Sequence, residues 1–124
     1  MPGDRRFFAT LGVALLAAAL LVACGGGGDS PPPVLLAKSV QNIQCEPPRT
    51  TMAALDAELQ AAGFATRPQR CAWDGLLYCA ACGCGSSYLR LIEVPAHRVA
   101  AARQLGYVTP NSFPAAEPMS CPAR

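Results

Sequence analysis

The stretch Tyr88-Leu89-Arg90-Leu91-Ile92-Glu93-Val94 decides how the rest of the chain is read. Aromatic and branched residues dominate it, and these favour a pleated, partly buried strand. Immediately after it comes Pro95, which suits the first position of a helix, and Val99, Ala102 and Leu105 then recur at helical spacing. The spacing predicts a helix from about Pro95 to Leu105, closed by Gly106-Tyr107.

The same grammar appears earlier in the chain. Met52, Leu55, Leu59 and Ala62 form an apolar stripe behind Thr50-Thr51, either of which can cap the first turn. A helix over Thr51–Ala62 follows, with Gly63 as the residue past its end and Phe64 folding back onto the last turn. The two endings echo each other as Gly63-Phe64-Ala65-Thr66 and Gly106-Tyr107-Val108-Thr109. Around them, strands are expected at Val40–Cys45, Phe64–Cys71, Tyr88–Val94 and Tyr107–Thr109. The order β-α-β-β-α-β is that of the split βαβ, so the expected class is α+β with a ferredoxin-like arrangement. The alternative is a smaller βαββα domain with an irregular, Pro- and Ala-rich C-terminal tail.

The chain has 124 residues, of which the first 23 read as an export segment. Arg5-Arg6 precede a nearly unbroken apolar run from Phe7 to Ala23, shorter than a spanning helix needs. That run supplies much of the 52% hydrophobic content, so the domain itself is less apolar than the total suggests. The run ends in Leu21-Val22-Ala23-Cys24, which resembles the lipobox of bacterial lipoproteins. The resemblance implies cleavage between Ala23 and Cys24, lipid on the Cys24 thiol and a membrane anchor. Two or three acyl chains hold a protein stably, at about 0.8 kcal/mol per buried CH₂, where one chain does not. Gly25 and Gly26 lack the acidic residue that signals inner-membrane retention in many enteric lipoproteins, which implies an outer-membrane protein facing the periplasm. Arg5-Arg6-Phe7-Phe8 also resembles part of a twin-arginine signal, with Asp4 where a polar residue is usual.

Four glycines, Asp29, Ser30 and three prolines follow Cys24. Such a stretch cannot pack a core and reads as a tether over residues 24–38, with the domain occupying 39–124. Removing Arg5, Arg6 and Asp4 with the export segment leaves eight basic against seven acidic residues. So even a balance gives no electrostatic footprint for nucleic acid.

Cysteine is the distinctive residue. Seven are present, and lipid on Cys24 would leave an even six: Cys45, Cys71, Cys79, Cys82, Cys84 and Cys121. An exported domain this small favours structural disulfides; the sequence does not choose among the 15 connectivities, and only a Cys82–Cys84 bridge is disfavoured, by geometry. Metal binding is a weaker reading, because Cys79-Ala80-Ala81-Cys82 has no second C-x-x-C partner. Redox exchange through the same four residues is weak too, since Gly83, Gly85 and two serines follow rather than a helix. His97 is the sole histidine, expected exposed on the second helix, and no nucleophile motif accompanies it. Asp74-Gly75 reads as a turn, and Trp73 and Tyr78 as packing residues or an exposed aromatic patch. No catalytic residue, metal ligand or cofactor is expected. The sequence points to a non-enzymatic, lipid-anchored structural or adaptor protein of the cell envelope, with an envelope protein or the cell wall as partner. The alternative is a thiol-redox or metal-handling lipoprotein using Cys79, Cys82 and Cys84.

Overall fold

Residues 28–123 are described by a computed structural model. The signal segment, the Ala23–Cys24 bond and the first part of the tether lie outside them. Strand β1 (Val34–Ile43) is followed by helix α1 (Met52–Ala61), strands β2 (Arg70–Trp73) and β3 (Gly85–Val94), helix α2 (Val99–Gln104) and strand β4 (Glu117–Met119). All four strands join one sheet in the order β1-β3-β2-β4, and every neighbouring pair is antiparallel. No helix of the described residues is long and apolar enough to cross a membrane.

β3 is central because it can be buried on both faces. Its register sets Ile92 opposite Leu36, Arg90 opposite Lys38 and Tyr88 opposite Val40, so these side chains share one face. Met52, Leu55 and Leu59 of α1 and Ala102 of α2 pack on that face. Leu89 and Ala72 point the other way with Ala37, and there Phe113 and Ala116 of the C-terminal segment cover them. Burying each large apolar side chain contributes about 1.5–3 kcal/mol.

Both helices end as the glycine echo suggests. Gly63 N–H donates to Gln60 C=O and Phe64 N–H to Leu59 C=O; Gly106 and Tyr107 do the same with Arg103 and Ala102. These are two Schellman closures, and each needs a residue at positive φ, +74° for Gly63 and +87° for Gly106. The aromatics that follow are buried in one shared cluster, and each carries a cation on its ring: Arg98 lies 4.4 Å from the Phe64 centroid and Lys38 5.6 Å from that of Tyr107. At the other end of α1, Thr51 is the cap, its hydroxyl accepting from Ala54 N–H at 3.1 Å.

Several expectations require correction. β1 begins at Val34, not Val40, so the tether stops short of residue 38 and the ordered domain starts before Ser39. The reason is that Val34 and Leu36 face the helices opposite Val94 and Ile92. β2 covers Arg70–Trp73 rather than Phe64–Cys71, because Phe64 is spent on the helix closure and residues 65–69 form a loop. The second helix opens with a 3₁₀ turn, Ala96–Arg98, lacking any side-chain cap, and is α-helical only from Val99. Tyr107–Thr109 is not a strand: it adds a single antiparallel bridge, Val108 to Ala37, on the outer edge of β1. The fourth strand lies instead in the Pro-rich tail and pairs with β2, at the opposite edge from the one a ferredoxin-like order requires. The tail therefore holds a 3₁₀ turn, Pro110–Ser112, and one short strand, and Cys71–Cys121 ties it down.

Candidate functional site

The cysteine cluster folds into a stapled loop between β2 and β3. Three disulfides form: Cys45–Cys82, Cys71–Cys121 and Cys79–Cys84. Cys82 and Cys84 do not pair with each other, as geometry leads one to expect. Nor do Cys79 and Cys82, each of which is bonded to another cysteine. Cys71 is buried beside Val40, Met52 and Leu55, which makes its bridge part of the core. The other two bridges hold the loop, Cys79–Cys84 closing its C-terminal half and Cys45–Cys82 fastening it to the turn after β1. Each bridge contributes about 2–4 kcal/mol in a domain of this kind.

Hydrogen bonds complete the fixation. The Gln44 side-chain amide donates to Cys79 C=O at 2.6 Å. Asp74 is buried at 6% exposure, and its carboxylate accepts from Leu76 N–H at 3.0 Å and Tyr78 O–H at 2.6 Å. The first of these is an Asx turn, which is what Asp74-Gly75 promises. Gly75 is obligatory there: its φ is +80°, and a Cβ would lie 2.5 Å from Ala115. Burial pushes the Asp74 carboxyl up, but the bonds from Tyr78, Leu76 and Ser87 outweigh it and hold the group below its usual value. The Tyr78 phenol is pushed up, chiefly by its bond to that carboxylate.

This fixation exposes an apolar tip. Leu76 is 59% and Leu77 93% exposed, with Tyr78 beside them at 37%. A single exposed leucine is ordinary, but here three adjacent large side chains lie exposed on a loop held by two staples and an Asx turn. Trp73 is half-buried within β2, leaving Tyr78 as the aromatic contribution to the tip. Leu76 and Leu77 escape the sequence reading because they follow a turn and fit neither a strand nor a helix period.

The sole histidine stands far from this tip. His97 is exposed in the 3₁₀ turn after β3, whereas the loop precedes β3. The ten residues of β3 separate the two by about 3.3 Å per residue, beyond any proton transfer. Among the described residues no three His, Cys, Asp or Glu side chains group as a metal site. The arrangement suits apolar contact with a complementary surface. No protein family, curated protein or solved structure matches the chain.

Proposed function

We propose that this chain is a lipid-anchored protein of the bacterial cell envelope, whose domain serves as a non-enzymatic adaptor that grips a partner protein through Leu76, Leu77 and Tyr78. The observation that carries the adaptor role is Leu77, 93% exposed on a loop fixed by two disulfides. Fixing an apolar loop before contact removes the ordering cost that a flexible loop incurs on binding, about 0.5–1.5 kcal/mol per immobilised side chain.

The anchor rests on Leu21-Val22-Ala23-Cys24, and the lipid-bearing Cys24 would lead through the glycine and proline tether into β1. The outer membrane, facing the periplasm, is the compartment that Gly25 and Gly26 favour. β1 runs from Val34, where the tether enters, to Ile43, beside the stapled loop. Ten strand residues span about 30 Å, so the tip lies at the end of the sheet away from the tether. We read the architecture as a ferredoxin-like variant, in which Val108 is the remnant of the edge strand beside β1 and Glu117–Met119 is an addition beyond β2.

A photo-crosslinking residue in place of Leu77, expressed in the native envelope, tests the adaptor role. One discrete conjugate that disappears with Tyr78→Asp in the same chain is the expected result. Absence of any conjugate, or a conjugate indifferent to that change, overturns the role.

A further inference from the structure

We propose that the open edge of β1, from Ser39 to Ile43, accepts an extended acidic peptide of a partner protein as an added strand. The two edges of the sheet are treated differently. β4 is only three residues long and contains Pro118, which has no N–H to offer, so that edge is blunted. Along β1, residues alternate between bonding to β3 and directing both backbone groups outward. Ala37 belongs to the outward set, exchanging two bonds of 2.8 Å with Val108. Ser39 and Gln41 stand in the same phase two and four residues on. Among the described residues no backbone group pairs with their outward N–H and C=O. Ile43 C=O accepts from Glu46 N–H, and its own N–H continues the open row.

A receptacle for side chains lies alongside. Between this edge and α1 runs a groove of about 600 Å³ with Val40, Ala54 and Leu55 in its wall. Alternate residues of an added strand would enter it, while the backbone bonds supply affinity. The charges in the groove do not balance. Lys38 is paired with Glu58 at 2.8 Å, but Arg49 has no hydrogen bond or ion pair among the described residues. Arg49 also lines a second groove with Asn42, Ile43 and Tyr78, so it stands where the open edge meets the stapled loop. A carboxylate on the incoming strand answers Arg49, whereas a second copy of this chain would double the excess of cations. The partner segment is therefore extended, small and apolar at alternate positions, and acidic near the Ile43 end. This surface adjoins the proposed tip at Tyr78 but uses neither Leu76 nor Leu77, and the inference does not depend on the adaptor role.

The test uses the full chain in detergent micelles and an end-blocked nonapeptide of alternating Thr and Val with one Glu. Amide exchange at Ser39 and Gln41 should slow about tenfold or more at saturating peptide, as for any newly paired strand amide. Gln41→Pro removes one outward N–H at an edge position and should weaken binding about tenfold, equivalent to about 1.4 kcal/mol. Arg49→Gln should weaken the Glu peptide about threefold to tenfold and leave its Gln counterpart unaffected. Leu77→Asp should bind the peptide as the parent does, which separates this test from that of the loop. Unchanged exchange at Ser39 and Gln41 overturns the proposal. So does protection that rises with protein concentration alone, the mark of a second copy, or equal binding of the Glu and Gln peptides. These readouts on the parent chain and Arg49→Gln decide the matter even if Gln41→Pro does not fold.

Discussion

Arg90 donates from Nη2 to Asp56 Oδ1 at 3.0 Å, and its side chain has no exposure to solvent. The same nitrogen reaches Thr66 C=O at 2.9 Å, so one guanidinium ties the centre of β3 to α1 and to the loop before β2. Asp56 also accepts from the Gln69 side-chain amide at 2.6 Å. A buried ion pair of this kind is costly to break singly, because the surviving charge is left without a partner. Asp56→Ala should therefore cost about 3–5 kcal/mol in urea denaturation of the oxidised protein. Adding Arg90→Met should recover part of that loss, and not all, since Thr66 C=O still loses its donor. An Asp56→Ala loss under about 1 kcal/mol would mean that the pair does not organise the core.

Asp74 should make the stapled loop acid-sensitive. Its carboxyl titrates below its usual value in the folded chain. The unfolded chain therefore binds the proton first as pH drops. The associated stability is present above about pH 4, the unfolded carboxyl range, and is lost as pH falls through the folded value. Asp74→Asn should abolish this acid dependence and cost about 1–2 kcal/mol at neutral pH through a weaker Tyr78 bond. Denaturation midpoints between pH 2 and 7 check both statements.

Tyr107 should do the opposite at high pH. Burial pushes its phenol up to about 12, with Glu58 and Asp56 adding to the rise against an opposing effect of Arg90. Stability tied to this group is complete below about pH 10 and lost as pH rises through 10 toward 12, about 2–3 kcal/mol in all. Its hydroxyl is buried without a hydrogen-bond partner among the described residues. Tyr107→Phe should consequently raise stability at pH 7 by about 1 kcal/mol and flatten the alkaline decline. A destabilised Phe variant would show that the hydroxyl does have a partner.

Gly75→Ala should loosen the loop and the tail together. The new Cβ would meet Ala115 backbone and side chain at 2.5–2.8 Å, at a φ of +80° that alanine tolerates poorly. Protease nicking between residues 105 and 120 should rise well above that of the parent. Unchanged nicking would separate the turn from the tail that covers Ala37, Ala72 and Leu89.

Much of this architecture is legible in local sequence, because local chemistry determines it. Thr51 caps α1, Gly63-Phe64 and Gly106-Tyr107 close the helices, and Tyr88–Val94 lies in the central strand. What is not legible depends on distant partners. Glu117-Pro118-Met119 has no strand pattern, and its pairing with β2 involves a distant partner to which Cys71–Cys121 also ties the tail. Arg90 is charged, yet its phase with Tyr88 and Ile92 places it among the apolar side chains. Its partner stands 34 residues earlier. The cysteine pairing could not be reached from spacing alone, and neither could the exposure of Leu77, which depends on how the staples turn the loop.

The most direct test is the intact mass of the mature protein from native envelopes, alkylated before and after reduction. The account requires a chain beginning at Cys24, heavier by its acyl groups, that takes up no alkyl group before reduction and six after it. A chain retaining residues before Cys24, one without lipid, or one alkylated at Cys79, Cys82 or Cys84 before reduction would contradict it.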